Sequence, residues 1–338
     1  MNQAEKIRQF IIKSIKKHPT DIVTVTAECF SVSRTTVLRH IQTLVNQGKV
    51  IKTGTTKQIY YTPASALNQS FTFTLNNAFA EYPLFDEYAS PIIQKYGNTF
   101  CFDICEYILT EILNNAKDHS RGKTVKLSFS IDDKNMHFVC KDNGVGVFLN
   151  LQQALGFPDT RTTMLELSKG KLTSDTANHT GEGLFFSARA ADIFKLSANG
   201  FSFLRDNTVG DWSLYEDKTE PGTTIAFSIE RQTSRSLKDL FIAYQDDESL
   251  AFSKTEVLIA LAKEHGQRLI SRSQAKRVVS NLDQFNHVTF DFNNVTIVGQ
   301  GFVDQLFRVF KNAHPNIEFN YINANDDVTF MIKRSIGQ

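Results

Sequence analysis

The sequence predicts a multidomain α+β protein, and three observations lead to that fold class. The 338 residues exceed what one hydrophobic core comfortably holds, so two or three domains are expected. The composition is that of ordinary globular domains, with 41% hydrophobic and 22% charged residues. The hydrophobic pattern also changes along the chain. It runs from helical spacing, through mixed helices and strands, to short strands alternating with helices.

Charge is distributed unevenly along the chain, although the net charge is only +1. Residues 1–63 hold ten Lys and Arg against three Asp and Glu, a net of +7, which leaves −6 for the remainder. A basic lobe attached to a mildly acidic body indicates that one end of the chain meets a polyanion.

The basic lobe is predicted to contain three helices and a hairpin. Residues 4–18 carry apolar side chains at helical spacing, Asp21 is placed to cap a second helix, and Ser33 to cap a third. Two strand-prone stretches, KVIKT and KQIYYT, then form the hairpin. The third helix is expected to bury Val37, Leu38, Ile41, Leu44 and Val45.

This order of elements over residues 1–63 resembles the winged helix-turn-helix of bacterial transcription regulators. The resemblance implies that the third helix enters the major groove of DNA and that the hairpin contacts phosphates. It also suggests a homodimer, because such regulators read paired half-sites. A winged helix that contacts only protein is the alternative, and the positive charge disfavours it. The residues implied in DNA binding are Arg34, Thr35, Thr36, Arg39, Lys52 and Lys57.

Residues 64–100 are expected to be a connector that packs on the following domain. Phe71–Leu75 alternates as a strand does, and a helix interrupted by Pro91 should follow.

The stretch DICEYILTEILNNAKDHS predicts a helix with two distinct faces. Apolar residues recur every four positions from Ile104 to Ala116 and form the buried face. The second face carries Glu111, Asn115, Asp118 and His119, which are spaced i, i+4, i+7 and i+8. Carboxylate and amide groups in such a row suit a hydrated magnesium ion and an activated water molecule.

Three glycine-containing motifs follow this helix. DNGVGV comes after a strand, HTGEGL precedes a helix, and EPGTT stands at the head of another strand. Glycine amides that open a helix can cradle phosphate groups. Each motif alone is a weak signal, whereas their order after the polar helix is specific.

With these motifs, residues 101–232 resemble the Bergerat-fold ATPases of the GHKL superfamily. The resemblance implies an α/β sandwich, a mixed sheet with helices on one face, which binds ATP and Mg²⁺. Asn115 would then coordinate Mg²⁺, Asp142 would accept from the adenine amino group, and Glu111 would be the general base for hydrolysis. Residues 147–180 would form a lid over the nucleotide. The other nucleotide-binding residues implied are His119, Gly144, Gly146, Gly181, Gly183, Leu184 and Thr223.

Residues 240–338 read as a small α/β domain of alternating helices and strands. Helices are expected over Ser253–Glu264, within RSQAKRVVSNL and over Gly301–Asn312. Strands are expected at HVTFDF, IEFNYIN and VTFMIKR.

This C-terminal region resembles a STAS-like domain of unknown function that accompanies Bergerat ATPases. Related anti-sigma-factor antagonists accept phosphate on a serine, but no Ser or Thr stands between Ile297 and Asp304 here. The resemblance therefore implies a protein partner and leaves an internal phosphoacceptor in doubt. The residues that carry it are Asp291, Phe292, Gly301, Phe302, Asp304, Phe307 and Arg308.

Together these resemblances predict a regulator of transcription in which a slow, Mg²⁺-dependent ATPase controls DNA binding. One alternative is a protein serine kinase of the anti-sigma type, supported by the form ExxxNAxxH from Glu111 to His119. Another is an ATP-dependent defence or conflict switch. No apolar run approaches the roughly 20 residues that span a bilayer, and no signal-peptide core is present, so a cytoplasmic protein without membrane contact is expected.

Overall fold

The computed structural model describes residues 2–15, 17–47, 49–55, 58–63, 67–173, 180–246, 249–263 and 268–337. The chain divides into two compact units. One comprises Met1–Ser70 with Ser128–His137, and the other comprises Phe71–Leu127 with Phe138–Gln338. No helix in the described ranges is both long enough and apolar enough to cross a membrane.

The first unit begins with the predicted three helices and hairpin. The helices enclose a core built around Ile11, Ile15 and Ile41, which are almost completely buried. The Ser33 side chain caps the third helix by accepting from the amide of Thr36. The strands pair antiparallel. The elements are α1 (Gln3–Ser14), α2 (Ile22–Phe30), α3 (Arg34–Asn46), β1 (Val50–Thr55) and β2 (Gln58–Pro63).

One prediction for α3 is wrong. Leu38 was expected in the buried stripe but is 44% exposed. The buried positions are Val37, Ile41 and Leu44, spaced i, i+4 and i+7, and Leu38 lies outside this stripe.

Seven strands form the large sheet, in the order β3-β4-β5-β9-β6-β7-β8. The sheet is antiparallel from β9 through β6 and β7 to β8. Its first strand comes from the predicted connector. The strands are β3 (Leu67–Thr74), β4 (Thr124–Ile131), β5 (Asn135–Asp142), β6 (Ile193–Ala198), β7 (Phe201–Asp206), β8 (Asp211–Glu216) and β9 (Thr223–Glu230).

The helices that accompany this sheet include the predicted polar helix. It is α6, which starts after Asn98, whose side chain accepts from the Cys101 amide. Pro91 lies in the first turn of α5, where a missing N–H is tolerated. The helices are α4 (Glu81–Leu84), a π-helical turn (Phe85–Ala89), α5 (Ser90–Tyr96), α6 (Thr99–His119), α7 (Val147–Leu155), α8 (Thr160–Lys169), α9 (Gly183–Ala190) and α10 (Leu237–Tyr244).

The C-terminal region contains a small parallel sheet in the order β10-β11-β12. Its strands are β10 (Lys254–Leu258), β11 (His287–Asp291) and β12 (Glu318–Ile322). The helices are α11 (Arg272–Val279), α12 (Gln300–Asp304), a π-helical turn (Gln305–Phe310), α13 (Lys311–Ala313) and α14 (Asp326–Ile336), with 3₁₀ turns at Ile259–Ala262 and Leu282–Gln284.

Two predictions for this region are wrong. Ser253–Glu264 was expected as a helix, but its described part, up to Lys263, holds β10 and a 3₁₀ turn. TEVL lies in the strand and IALA forms the turn, and most of their apolar side chains are buried. VTFMIKR was expected as a strand and lies in α14. Asn325 caps that helix, and Val328 and Ile332 bury one helical face.

The C-terminal sheet shares one hydrophobic core with α8 and α9, within the second unit. A buried ion pair within α8 lies at this junction: Lys169 and Glu166 are 1% and 3% exposed, with Nζ 2.6 Å from Oε1. The Lys169 ammonium also donates to the Ser280 carbonyl (2.8 Å), and the Asn281 amide group donates to Glu166 (3.0 Å). Helix α8 is therefore held firmly to the C-terminal region.

Candidate functional site

A cavity of about 740 Å³ in the second unit brings most of the predicted motif residues together. It is lined by α6, the end of β5, the segment before α9 and the start of β9, and it is closed by residues between α10 and β10. The predicted residues on its wall are Glu111, Asn115, His119, Asp142, Gly181, Gly183, Leu184 and Thr223.

Helix α6 supplies a polar stripe to this cavity. Glu111, Asn115 and His119 are spaced by four residues, so they lie on one face and all three line the wall. Asp118 is exposed and does not line it. Burial, together with the carboxylates of Glu111 and Glu182, raises the pKa of Tyr107, one turn before Glu111. The Glu111 carboxylate of the helix and the Glu182 carboxylate of the glycine loop thus both lie near the Tyr107 hydroxyl.

Asp142 is held rigidly at the end of β5. It is 6% exposed, and its carboxylate accepts from the amides of Gly144 (2.8 Å) and Thr223 (3.2 Å). Burial raises the pKa of this carboxyl, although those hydrogen bonds act in the opposite direction. Gly222 has a φ of +94°, and a Cβ there would collide with the Asp142 carbonyl, so this turn requires glycine.

The segment Gly181–Glu182–Gly183 packs against α6. Gly183 opens α9, and a side chain at that position would collide with the carboxylate of Glu111. The start of α9, whose first backbone amides have no acceptor within the helix, therefore lies beside Glu111 on the cavity wall.

Gly144 and Gly146 do not line the cavity themselves. They belong to the turn between β5 and α7. The amide of Gly144 fixes Asp142, and the next residue after Gly146, Val147, donates its amide to the Thr223 hydroxyl (3.0 Å). Their contribution is to shape the turn.

Sequence reasoning missed Asn150 and Lys171, which also line the cavity. Asn150 is 6% exposed, and its Oδ1 has no hydrogen-bond partner among the described residues. Asn150 is a polar residue between Phe148 and Leu151, which are both buried. A polar residue within such an apolar segment could have been recognised as a candidate for the site.

Lys171 carried no comparable signal, because its position depends on tertiary packing. Its ammonium donates to the carbonyl of Gln284 (2.8 Å) and lies over the ring of Phe285, 4.7 Å from the centroid. Burial lowers the pKa of Lys171, and the Glu182 carboxylate opposes that shift. The C-terminal region thus positions a cation at the cavity.

The residues predicted to bind DNA lie in the first unit. Arg34, Thr35 and Arg39 are exposed on α3, and Lys52 is exposed on β1. The Arg34 guanidinium donates to the Thr24 hydroxyl (2.8 Å), and Thr36 is half-buried and engaged in the Ser33 cap. Lys57 lies outside the described residues.

Comparison with known proteins identifies one region. Residues 274–329 match the family model of a STAS-like domain of unknown function (DUF4325). No curated protein matches the chain. The crystal structure of an IcIR transcriptional regulator from Alicyclobacillus acidocaldarius is similar at 16% identity, over 67% of this chain and 86% of that one, with a TM-score of 0.20. A TM-score this low does not establish a common fold.

Proposed function

We propose that the cavity beside α6 binds ATP with Mg²⁺ and hydrolyses it slowly. The observation that carries the proposal is the convergence of Glu111, Asn115, Asp142 and the Gly181–Gly183 segment on one cavity. Its volume of about 740 Å³ is in the range of sites for small molecules and cofactors.

The chemistry of the wall fits each part of this ligand. The buried Asp142 carboxylate is an acceptor for an adenine amino group, and the amides at the start of α9 suit phosphate oxygens. Gly181, Leu184 and Thr223 stand beside them, and His119 lies on the same stripe as Asn115.

A divalent cation also fits the wall. Among the described residues, no group of three or more His, Cys, Asp or Glu side chains could hold a metal ion alone. Magnesium commonly takes only one or two protein oxygens together with phosphates and water, and the Asn115 carboxamide is such an oxygen. When bound, the ion would neutralise phosphate charge, while Glu111 would orient and deprotonate the attacking water.

Calorimetric titration tests the binding proposal. Wild-type protein should bind ATP in a Mg²⁺-dependent way, and Asn115→Ala should lose most of that dependence. The matched control is Asp118→Ala, an exposed residue of the same helix that does not line the cavity. The proposal fails if wild-type protein does not bind ATP, or if both variants behave alike.

We further propose that nucleotide binding regulates DNA binding by the first unit. Support comes from the net charge of +7 over residues 1–63 and from the exposed Arg34, Arg39 and Lys52. Coupling of this kind typically changes affinity by about 5- to 150-fold. A saturating ATP analogue should therefore shift the DNA-binding isotherm, and an unmoved isotherm contradicts regulation.

The DNA contact has its own test. Lys52→Ala removes one proposed contact with a DNA phosphate. It should therefore reduce the slope of log affinity against log salt concentration by about 1. Lys13→Ala is the matched control, because Lys13 is an exposed cation of the same unit that lies on α1, outside the predicted recognition helix and hairpin. Equal effects of Lys52→Ala and Lys13→Ala would mean that only net charge matters.

Phosphoryl transfer to a protein is the second candidate function. The STAS-like match at residues 274–329 favours it, because STAS-like domains often mediate interactions between proteins. Incubation with γ-labelled ATP separates the two. Free labelled phosphate supports hydrolysis, whereas label on an added protein supports the kinase.

A further inference from the structure

One polar side chain on the wall of the proposed ATP cavity is not used by the proposed function. Asn150 of α7 is 6% exposed and lines that cavity, yet its Oδ1 has no hydrogen-bond partner among the described residues. A buried acceptor without a donor is unfavourable, and a leucine of similar shape would avoid this penalty. Packing therefore does not explain the asparagine, whereas a ligand that supplies a donor would.

Helix α7 fixes the position of this side chain. Val147, Asn150 and Leu151 all line the cavity, and their spacing of i, i+3 and i+4 places them on one helical face. The amide of Leu149 donates to the Asn199 side chain (3.1 Å), which anchors the first turn of the helix. The Asn150 carboxamide therefore belongs to the cavity wall and is carried by an anchored helix.

This face of α7 lies at the Asp142 end of the cavity. The Val147 amide donates to the Thr223 hydroxyl (3.0 Å), and the Thr223 amide donates to the Asp142 carboxylate (3.2 Å). Asn150 follows Val147 by three helical residues, a rise of only about 4.5 Å. Asn150 is thus within one helical turn of the residues that hold Asp142.

The wall around these polar groups suits a flat, uncharged ring. Cys140 lies two residues before Asp142 on β5, so the two side chains share one face of the sheet. Ile225 bears the same relation to Thr223 on β9. Both apolar residues line the cavity, as does Val147. An apolar wall with a few placed polar groups is typical of small-molecule sites, and here it fits the base of a nucleotide better than the charged phosphates.

The adenine base offers one kind of hydrogen-bond donor, its amino group, which carries two hydrogens. The proposed contact with Asp142 uses one of these N–H bonds. The second N–H needs an acceptor, and the Asn150 oxygen needs a donor. Asparagine carboxamides accept from this amino group when proteins recognise adenine in nucleic acids, so the two groups are chemically matched.

We propose that the Asn150 carboxamide accepts the second N–H of the adenine amino group and is, with Asp142, a residue that determines specificity for the base. The inference rests on the proposed ATP binding and adds a contact to it. Because Oδ1 has no partner among the described residues to lose, Asn150 contributes to ligand affinity and not to the stability of the free protein.

Calorimetric titration of the full chain with two nucleotides tests this contact. Asn150→Leu should weaken ATP binding about five- to tenfold, because one buried hydrogen bond is lost. Purine riboside triphosphate, which lacks the amino group, should bind wild type and Asn150→Leu equally. Gln153→Leu is the matched control, since Gln153 is exposed on α7 and does not line the cavity.

Two further measurements separate this contact from other roles of Asn150. Without nucleotide, the Tm of Asn150→Leu should equal or exceed that of wild type, and Asn150→Ala carries the titrations if Asn150→Leu does not fold. A lower Tm together with unchanged ATP affinity would show a structural role and overturn the proposal. The substitution should weaken 2′-deoxy-ATP by the same factor as ATP. No loss with 2′-deoxy-ATP would place the carboxamide at the ribose and also overturn the proposal.

The titrations distinguish this contact from ATP binding itself. If wild-type protein does not bind ATP, the proposed function and the Asn150 contact fail together. If wild type and Asn150→Leu bind ATP equally well, only the Asn150 contact is overturned, and a water molecule satisfies the carboxamide instead. Equal weakening of ATP and purine riboside triphosphate by the substitution overturns it as well, because the amino group is then not the partner.

Discussion

Two parts of the candidate site differ in how the chain builds them. One part is made from local motifs, each with a special requirement: a polar stripe on α6, a buried Asp142 and glycines that admit close contacts. The other part holds Lys171, which belongs to no motif and which the C-terminal region positions through Gln284 and Phe285. Residues that form local motifs can be read from a sequence, whereas a residue placed by packing requires the structure.

The largest expected effect tests whether the cavity beside α6 performs chemistry. Glu111→Gln should lower the hydrolysis rate about 10²- to 10⁴-fold, because it removes a general base. ATP binding should persist, since the amide keeps the shape of the side chain beside Gly183. Turnover and calorimetric affinity measured on the same preparation separate the two effects, and unchanged turnover would show that Glu111 is not the base.

The next effect concerns α8, which Lys169 attaches to the C-terminal region. Lys169→Met leaves the Glu166 carboxylate buried without its cation, so the free energy of unfolding should fall by about 3–5 kcal/mol. The double variant Glu166→Gln/Lys169→Met removes both charges and should recover part of that loss. Urea unfolding measures both, and equal losses would mean that the buried charge is not the cause.

How much was predictable differs between regions for physical reasons. The helices of the first unit and α6 have long periodic patterns and clear caps, such as Ser33 and Asn98, and they are present. Two segments of the C-terminal region were predicted wrongly. β10 has only five residues, and in α14 the apolar residues Val328, Phe330 and Ile332 alternate as in a strand although Val328 and Ile332 also fit one helical face. Packing against the C-terminal core decides between the two patterns.

The same reasoning applies to the candidate site. Asp142 and the glycines were identifiable because only certain residues satisfy their geometry. Lys171 was not, because its place depends on Gln284 and Phe285, more than 100 residues later. Contacts between residues so far apart produce no recognisable pattern in the local sequence.

The substitution Asp142→Asn should change thermal stability and nucleotide affinity in opposite directions. Burial raises the pKa of this carboxyl above its ordinary value, so the folded protein binds the proton more tightly than the unfolded chain does. The group therefore favours folding at low pH, and this contribution is lost as the pH rises through the raised pKa. Asp142→Asn resembles the protonated form and should have a Tm at pH 7 equal to or above that of wild type.

Nucleotide affinity should change in the opposite direction. An asparagine cannot supply the negative acceptor proposed for the adenine amino group, so ATP affinity should fall about tenfold or more. In wild type, ATP affinity should weaken as the pH falls towards the pKa of Asp142. A variant with lower Tm and unchanged ATP affinity would contradict both statements.

The smallest expected effect concerns Lys171, the cation that packing brings to the candidate site. Lys171→Met removes the ammonium beside the proposed phosphate position, and the side chain still lies against Phe252 and Phe285. ATP affinity should fall by a factor of about 5 to 10, since one partly screened charge contact is lost. Calorimetric titration measures this change, and an unchanged affinity would show that the Lys171 ammonium does not contact the nucleotide.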